Sequence, residues 1–294
     1  MTALVAWLSA RAAGGRFVLR VEDIDRPRVV QGAEVRQLDD LRWLGLDWDE
    51  GPDVGGPASP YRQSERADRY EAALATLGRQ GLLYWCDCSR AEIARVASAP
   101  HPGDDGPRYP GTCRDLGLQE RSWKRPPALR LRVPAREVAL EDALQGLIRQ
   151  DVAATVGDFV LRRGDGAFAY QLAVVVDDLA MGITQVVRGA DLLSSTPRQV
   201  LLAELLGGKP PSYAHVPLLV DARGERLAKR GGGVTLRELR DAGVAPRNLL
   251  EAIARLVGVG PSASPAAMVP RLDLAPLAGR PTIRLPAGGV LAGR

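Results

Sequence analysis

Short apolar runs in this chain repeatedly end in clusters of ionised side chains, and that pattern restricts the fold more than any other feature. Phe17-Val18-Leu19 runs directly into Arg20-Val21-Glu22-Asp23-Ile24-Asp25-Arg26-Pro27-Arg28. Val174-Val175-Val176 ends at Asp177-Asp178, and the apolar stretch 184–187 ends at Arg188-Gly189-Ala190-Asp191. A strand that stops in charged groups delivers them to the rim of a sheet. In open α/β folds the carboxyl-terminal rim is where small molecules bind.

The 294 residues suffice for one large domain or two modest ones. With 25% charged and 46% hydrophobic residues, the balance is that of an ordinary globular protein. No apolar run reaches the ~18 residues of a spanning helix. Residues 2–13 lack the basic start of a signal peptide, so a cytoplasmic location is expected. Three cysteines, Cys86, Cys88 and Cys113, do not make a secreted disulfide framework. Charge is uneven: from residue 223 onward, twelve basic side chains face five acidic ones. Such a segment suits a polyanion such as RNA, or equally a solvated arginine-rich surface.

Helical periodicity and stop signals predict helices over 2–13 (closed by Gly14-Gly15), 33–44, 64–80, 196–206, 236–240 and 246–257. Strands are predicted over 16–21, 82–85, 129–133, 184–187 and 215–220. A hairpin is predicted from 159–162 and 168–172 flanking Gly164-Asp165-Gly166. No structure is assigned after Gly258, where the chain turns Pro-, Ala- and Gly-rich. Strands and helices alternate at both ends with a cysteine-bearing excursion between them, which predicts a parallel α/β sheet interrupted by an insertion.

Three constellations carry chemistry. Cys86-x-Cys88 followed by Tyr109-x-x-x-Cys113 brings three soft ligands toward one ion, and Zn²⁺ favours four. Tyr109 or His101 can supply the fourth; the alternative is three buried apolar cysteines. Arg226-Leu227-Ala228-Lys229-Arg230 precedes Gly231-Gly232-Gly233, which suits phosphates or, as simply, an exposed basic loop. Glu22, Tyr170-Gln171-Leu172, Asp177-Asp178 and Arg188 can form a polar pocket for a charged amino acid. There an arginine grips a carboxylate and a carboxylate holds an ammonium.

In order and spacing, these constellations together resemble the glutamyl branch of class I aminoacyl-tRNA synthetases, from about Thr2 to Val257. The resemblance implies a Rossmann-type parallel sheet split by a zinc-bearing insertion, with a short helical C-terminal segment. It divides the chain into 1–84 (first half of the catalytic domain), 85–150 (insertion), 151–234 (second half) and 235–294 (helical segment and Pro/Gly/Ala-rich tail). It implies ATP-dependent activation of L-glutamate to glutamyl-adenylate, with Mg²⁺ accompanying ATP. In the short members of that branch, the glutamate then passes to queuosine in the anticodon loop of tRNA(Asp). Carried over by position, Glu22, Tyr170 and Arg188 bind glutamate, and Arg226, Lys229 and Arg230 match the "KMSKS" loop that meets ATP, with Lys229 catalytic. Cys86, Cys88, Tyr109 and Cys113 hold structural zinc, which selects Tyr109 over His101. A monomer is expected. The family opens with a strand and a "HIGH" motif that precede residues resembling 2–8, and the sequence contains no such motif. Weak activity of residues 1–294 alone is therefore expected, and a non-catalytic zinc- and tRNA-binding remnant is the alternative.

Overall fold

The computed structural model describes residues 1–96, 108–117, 123–226, 235–260, 262 and 264–285. In chain order its helices are α1 (Thr2–Ala12), α2 (Ala33–Trp43), α3 (Ala67–Arg79), α4 (Arg90–Val96), α5 (Val152–Thr155), α6 (Tyr170–Ala180), α7 (Thr196–Leu205), α8 (Leu236–Asp241), α9 (Pro246–Leu256) and α10 (Pro265–Met268). The strands are β1 (Leu83–Cys86), β2 (Ala128–Leu131), β3 (Glu137–Asp142), β4 (Gly146–Asp151), β5 (Val160–Arg162), β6 (Gln185–Gly189), β7 (Ser212–Val216), β8 (Leu218–Val220) and β9 (Thr282–Arg284).

The largest sheet is mixed rather than all parallel, with order β4-β3-β7-β6. β6 and β7 run parallel and in register, so Arg188 lies opposite His215. β3 meets β7 in parallel through Asp142 and Tyr213, and it turns back antiparallel into β4. The alternation pattern did not reveal this β3–β4 hairpin. A second, antiparallel sheet, β1-β2-β5, carries the start of the cysteine-bearing excursion.

Several expectations change. The predicted strand 16–21 is an extended segment outside both sheets. It makes isolated parallel bridges, Val18 to Glu50 and Val21 to Arg62, and its backbone bonds go to Glu50 and Tyr61. The hairpin around Gly164–Gly166 pairs only as far as Phe168 opposite Arg162, because Tyr170 already opens α6. The Val174–Val176 run is therefore helix, not strand. All of Leu172 to Asp178 is buried in α6, which packs against α3 and α7. A run that is apolar on every side has no period to read. The strand expected over 215–220 breaks at Pro217 into β7 and β8, since proline cannot donate to a ladder. Finally, part of the described chain after Gly258 is structured: α10 forms, and β9 pairs in parallel with β8.

Two apolar clusters hold these layers. One joins α3, α6 and α7 to β2 and β5 through Tyr70, Leu74, Leu77, Leu131, Leu161, Leu172 and Leu201. The other joins α1 and α9 to β7 through Leu4, Val5, Leu8, Val216, Leu250 and Ile253. In α3 the apolar stripe Tyr70, Leu74 and Leu77 faces inward, and Gly81 takes up the left-handed turn (φ +70°) just beyond its end. The capping box of Thr235 and Glu238 fixes the start of α8.

Candidate functional site

The extended segment 17–21 brings Arg20 to the last turn of α6. Its guanidinium Nη1 donates to Asp178 Oδ1 at 2.7 Å and Nη2 to Glu22 Oε1 at 3.0 Å. Adjacent carboxylates on a helix point about 100° apart, so Asp177, although 3.8 Å from Arg20 Nε, takes its hydrogen bonds from other partners. It accepts from Arg66 Nε at 2.5 Å, Gln63 Nε2 at 2.9 Å and the Tyr70 hydroxyl at 2.9 Å. Asp177 thus locks α6 to α3, while Asp178 pairs with Arg20.

Tyr170 feels both Glu22 and Arg188 electrostatically. Burial, reinforced by Glu22, raises the Tyr170 pKa, and Arg188 opposes it. Burial raises that of Asp178, Arg20 and Arg188 oppose it, and Glu22 adds to it. Tyr213 is pushed up to about 12 by burial, with Arg188 opposing. Arg188 also lies over the Tyr213 ring, 5.3 Å from its centroid. These three residues come from the segment after residue 21, the start of α6 and the end of β6, with Tyr170 within electrostatic reach of the other two. This arrangement places both signs of charge where a zwitterion with an acidic side chain can be held.

Behind Arg188 lies a buried chain of polar groups. Arg188 Nε donates to His215 Nε2 at 3.0 Å, and Nη2 donates to Thr196 Oγ1 at 2.8 Å. His215 Nδ1 meets Asp142 Oδ2 at 2.6 Å. Asp142 Oδ1 accepts the backbone N–H groups of Leu144, Gln145 and His215. Burial works to raise the Asp142 pKa, but the His215 ring and these N–H groups outweigh it and hold the carboxylate below its ordinary value. Sequence reasoning gave no role to Arg20, His215 or Asp142. The only hint was a histidine inside an apolar strand.

Arg226 is exposed at the end of the turn that follows β8, with Nη1 3.7 Å from Asp191 Oδ2. The Asp221 carboxylate accepts the N–H groups of Arg223 and Glu225 and so shapes that turn. The base of the basic loop is thereby tied to the rim just beyond Arg188. Lys229 and Arg230 lie outside the described residues, as does His101.

The thiols of Cys86, Cys88 and Cys113 all lie within 4.8 Å of one another. Cys88 Sγ is 3.4 Å from Cys113 Sγ, and the Tyr109 hydroxyl oxygen accepts from the Cys86 thiol at 3.3 Å and from the Cys113 N–H at 2.9 Å. The Arg130 guanidinium stacks 3.7 Å above the centroid of the Tyr109 ring. Burial works to raise the Cys86 pKa, but Tyr109 and Arg130 outweigh it and lower it. Burial and then Cys113 push Cys88 up to about 12. Three clustered sulfurs, two of them buried, ionise together only when a cation joins them, so the three cysteines can hold a soft metal ion.

Residues 1–269 match the family described as tRNA synthetases class I (E and Q), catalytic domain. The chain is 53% identical over 291 residues to a glutamyl-Q tRNA(Asp) synthetase of Nitratidesulfovibrio vulgaris, covering 95% of this chain and 89% of that one. It is 50% identical over 299 residues to a glutamyl-Q tRNA(Asp) synthetase of Symbiobacterium thermophilum, covering 99% of this chain and 92% of that one. Among solved structures, it resembles a glutamate-tRNA synthetase from Elizabethkingia anophelis with a TM-score of 0.82 and 28% identity, covering 98% of this chain and 65% of that one. The fold is thus that of a class I tRNA-synthetase catalytic domain. The chain belongs to the glutamyl-Q tRNA(Asp) synthetases, a branch of the glutamate and glutamine class I family. No helix among the described residues is long and apolar enough to cross a membrane.

Proposed function

We propose that this protein activates L-glutamate with ATP to glutamyl-adenylate and transfers the glutamate to queuosine in tRNA(Asp). What supports the reading is membership of this family's catalytic domain, together with Tyr170 lying within electrostatic reach of both Glu22 and Arg188. Arg188 receives the side-chain carboxylate of glutamate through its planar fork. Glu22 and the Tyr170 hydroxyl attend the ammonium. The glutamate α-carboxylate attacks the α-phosphorus of ATP, and pyrophosphate leaves. Lys229, with Arg226 and Arg230 near it in sequence, offsets the charge that builds on the phosphates, and Mg²⁺ accompanying ATP would add to that compensation. The basic C-terminal segment suits the tRNA backbone.

Cys86, Cys88, Cys113 and Tyr109 hold one Zn²⁺ in a closed, structural site. When bound, the ion cross-links the end of β1 to the loop at Tyr109. It leaves no position open for chemistry.

Pyrophosphate exchange into ATP tests the first step, and it should depend on glutamate but not on glutamine or aspartate. Labelled glutamate should then appear on tRNA(Asp) that carries queuosine and not on the same tRNA without it. Exchange that is indifferent to glutamate, or labelling of the tRNA 3′ end instead of queuosine, refutes the reading.

A further inference from the structure

The buried chain Asp142–His215–Arg188–Thr196 contains more information than packing requires. An arginine Nε carries a hydrogen and only donates, so His215 Nε2, 3.0 Å away, must present a lone pair. The imidazole proton therefore sits on Nδ1, where it donates to Asp142 Oδ2. Asp142 Oδ1 is occupied by three backbone N–H groups, which leaves Oδ2 for the ring. Thr196 Oγ1 accepts from Arg188 Nη2 and is itself 3.0 Å from His215 Nε2. His215 and Thr196 are fully buried, and Asp142 is 1% exposed. Arg188 Nη1 makes no hydrogen bond among the described residues.

We infer that His215, fixed by Asp142 in its Nδ1–H form, is a positioning residue that aims Arg188 at the substrate carboxylate and leaves its charge unspent. The inference rests on reading Arg188 as the partner of the glutamate side chain. A carboxylate in the place of His215 would orient Arg188 equally well but would neutralise it. A neutral acceptor orients the fork and preserves the full positive charge for the ligand, which favours glutamate over its neutral amide. The opposite tautomer would set an N–H against the Nε–H of Arg188 and turn the fork away.

The chain has two histidines, so ¹⁵N-histidine spectra, with His101→Gln for assignment, read the tautomer of His215 directly. Wild type should show Nδ1–H; an Nε2–H form overturns the inference whatever the substrate. Asp142→Asn keeps an oxygen for the backbone N–H groups but turns an amide N–H toward the ring, forcing Nε2–H. Calorimetry should then show glutamate affinity falling about tenfold or more, the scale of a lost hydrogen bond to a charged group. His215→Gln can still offer an oxygen to Arg188 Nε. Added to Asp142→Asn, it should restore much of the affinity, an outcome that a purely structural Asp142 does not allow. A double variant that binds no better than Asp142→Asn overturns the inference. A wild type that shows the Nδ1–H form yet binds no glutamate overturns the functional reading and, with it, the positioning role of His215.

Discussion

Arg20 and Asp178 are 158 residues apart and meet through a 2.7 Å hydrogen bond beneath the pocket. Both side chains are largely buried, at 12% and 10% exposure. Truncating one partner strands the other charge in a low-dielectric site. Arg20→Ala and Asp178→Ala should each cost about 3–5 kcal/mol in urea unfolding. The Arg20→Met/Asp178→Leu double variant should cost clearly less than their sum. Additive losses would show that the pair is not coupled.

Arg188→Lys keeps a positive charge but loses the planar fork and the Nε–H that His215 accepts. Glutamate binding measured by calorimetry should weaken at least about tenfold. Unchanged affinity would remove Arg188 from the carboxylate site.

Purified, reduced protein should contain about one zinc per chain, the number one closed four-ligand site accepts. Cys113→Ser should lower that stoichiometry and the melting temperature together. The sulfur of Cys113 lies against Cys88, and its N–H bonds the Tyr109 hydroxyl. Metal analysis that finds no zinc in wild type would refute the site.

Gly157 packs directly on the loop that carries Tyr109: a Cβ there would overlap the Tyr109 carbonyl oxygen, and its φ is +75°. Gly157→Ala should therefore destabilise the fold by about 2 kcal/mol or more, combining left-handed strain with a backbone clash. Denaturant midpoints of the two proteins check this.

Asp142 gives a pH dependence of definite sign. Its folded pKa lies below the ordinary 3.8, so the unfolded chain takes up its proton first as pH falls. Its contribution is complete above that value and is lost as pH drops through the folded pKa. Wild type should exceed Asp142→Asn in stability at pH 7, and the gap should shrink on acidification below about pH 4. A gap that stays constant down to about pH 2 would contradict this assignment.

Much of the local structure is legible in the residues themselves. The α3 stripe of Tyr70, Leu74 and Leu77, the glycine beyond its end, and the β6 run stopping at Arg188 all follow from periodicity and stop signals. The spacing of Cys86, Cys88, Tyr109 and Cys113 also foretells a cluster, because ligands borne on short turns need little long-range folding to meet. Local pattern does not say whether Val174–Val176 is strand or helix. An unbroken apolar run satisfies either, and only packing between α3 and α7 chooses helix. Choosing helix separates Asp177 from Asp178, one locking α6 to Arg66 and the other meeting Arg20.

The sequence by itself determined the chemistry available: a charged segment at Arg20–Arg28, an arginine at the end of β6, a soft-ligand set and a basic loop. Only the tertiary structure decided which of these groups act together. Asp142 and His215 are 73 positions apart, on β3 and β7, and nothing local to either residue foretells their bond. Their pairing follows from β3 and β7 lying side by side with β7 in parallel register with β6, which sets His215 opposite Arg188. Side-chain type is a local property, whereas register is set by the burial of whole elements, so the aim of Arg188 emerges only when the sheet assembles.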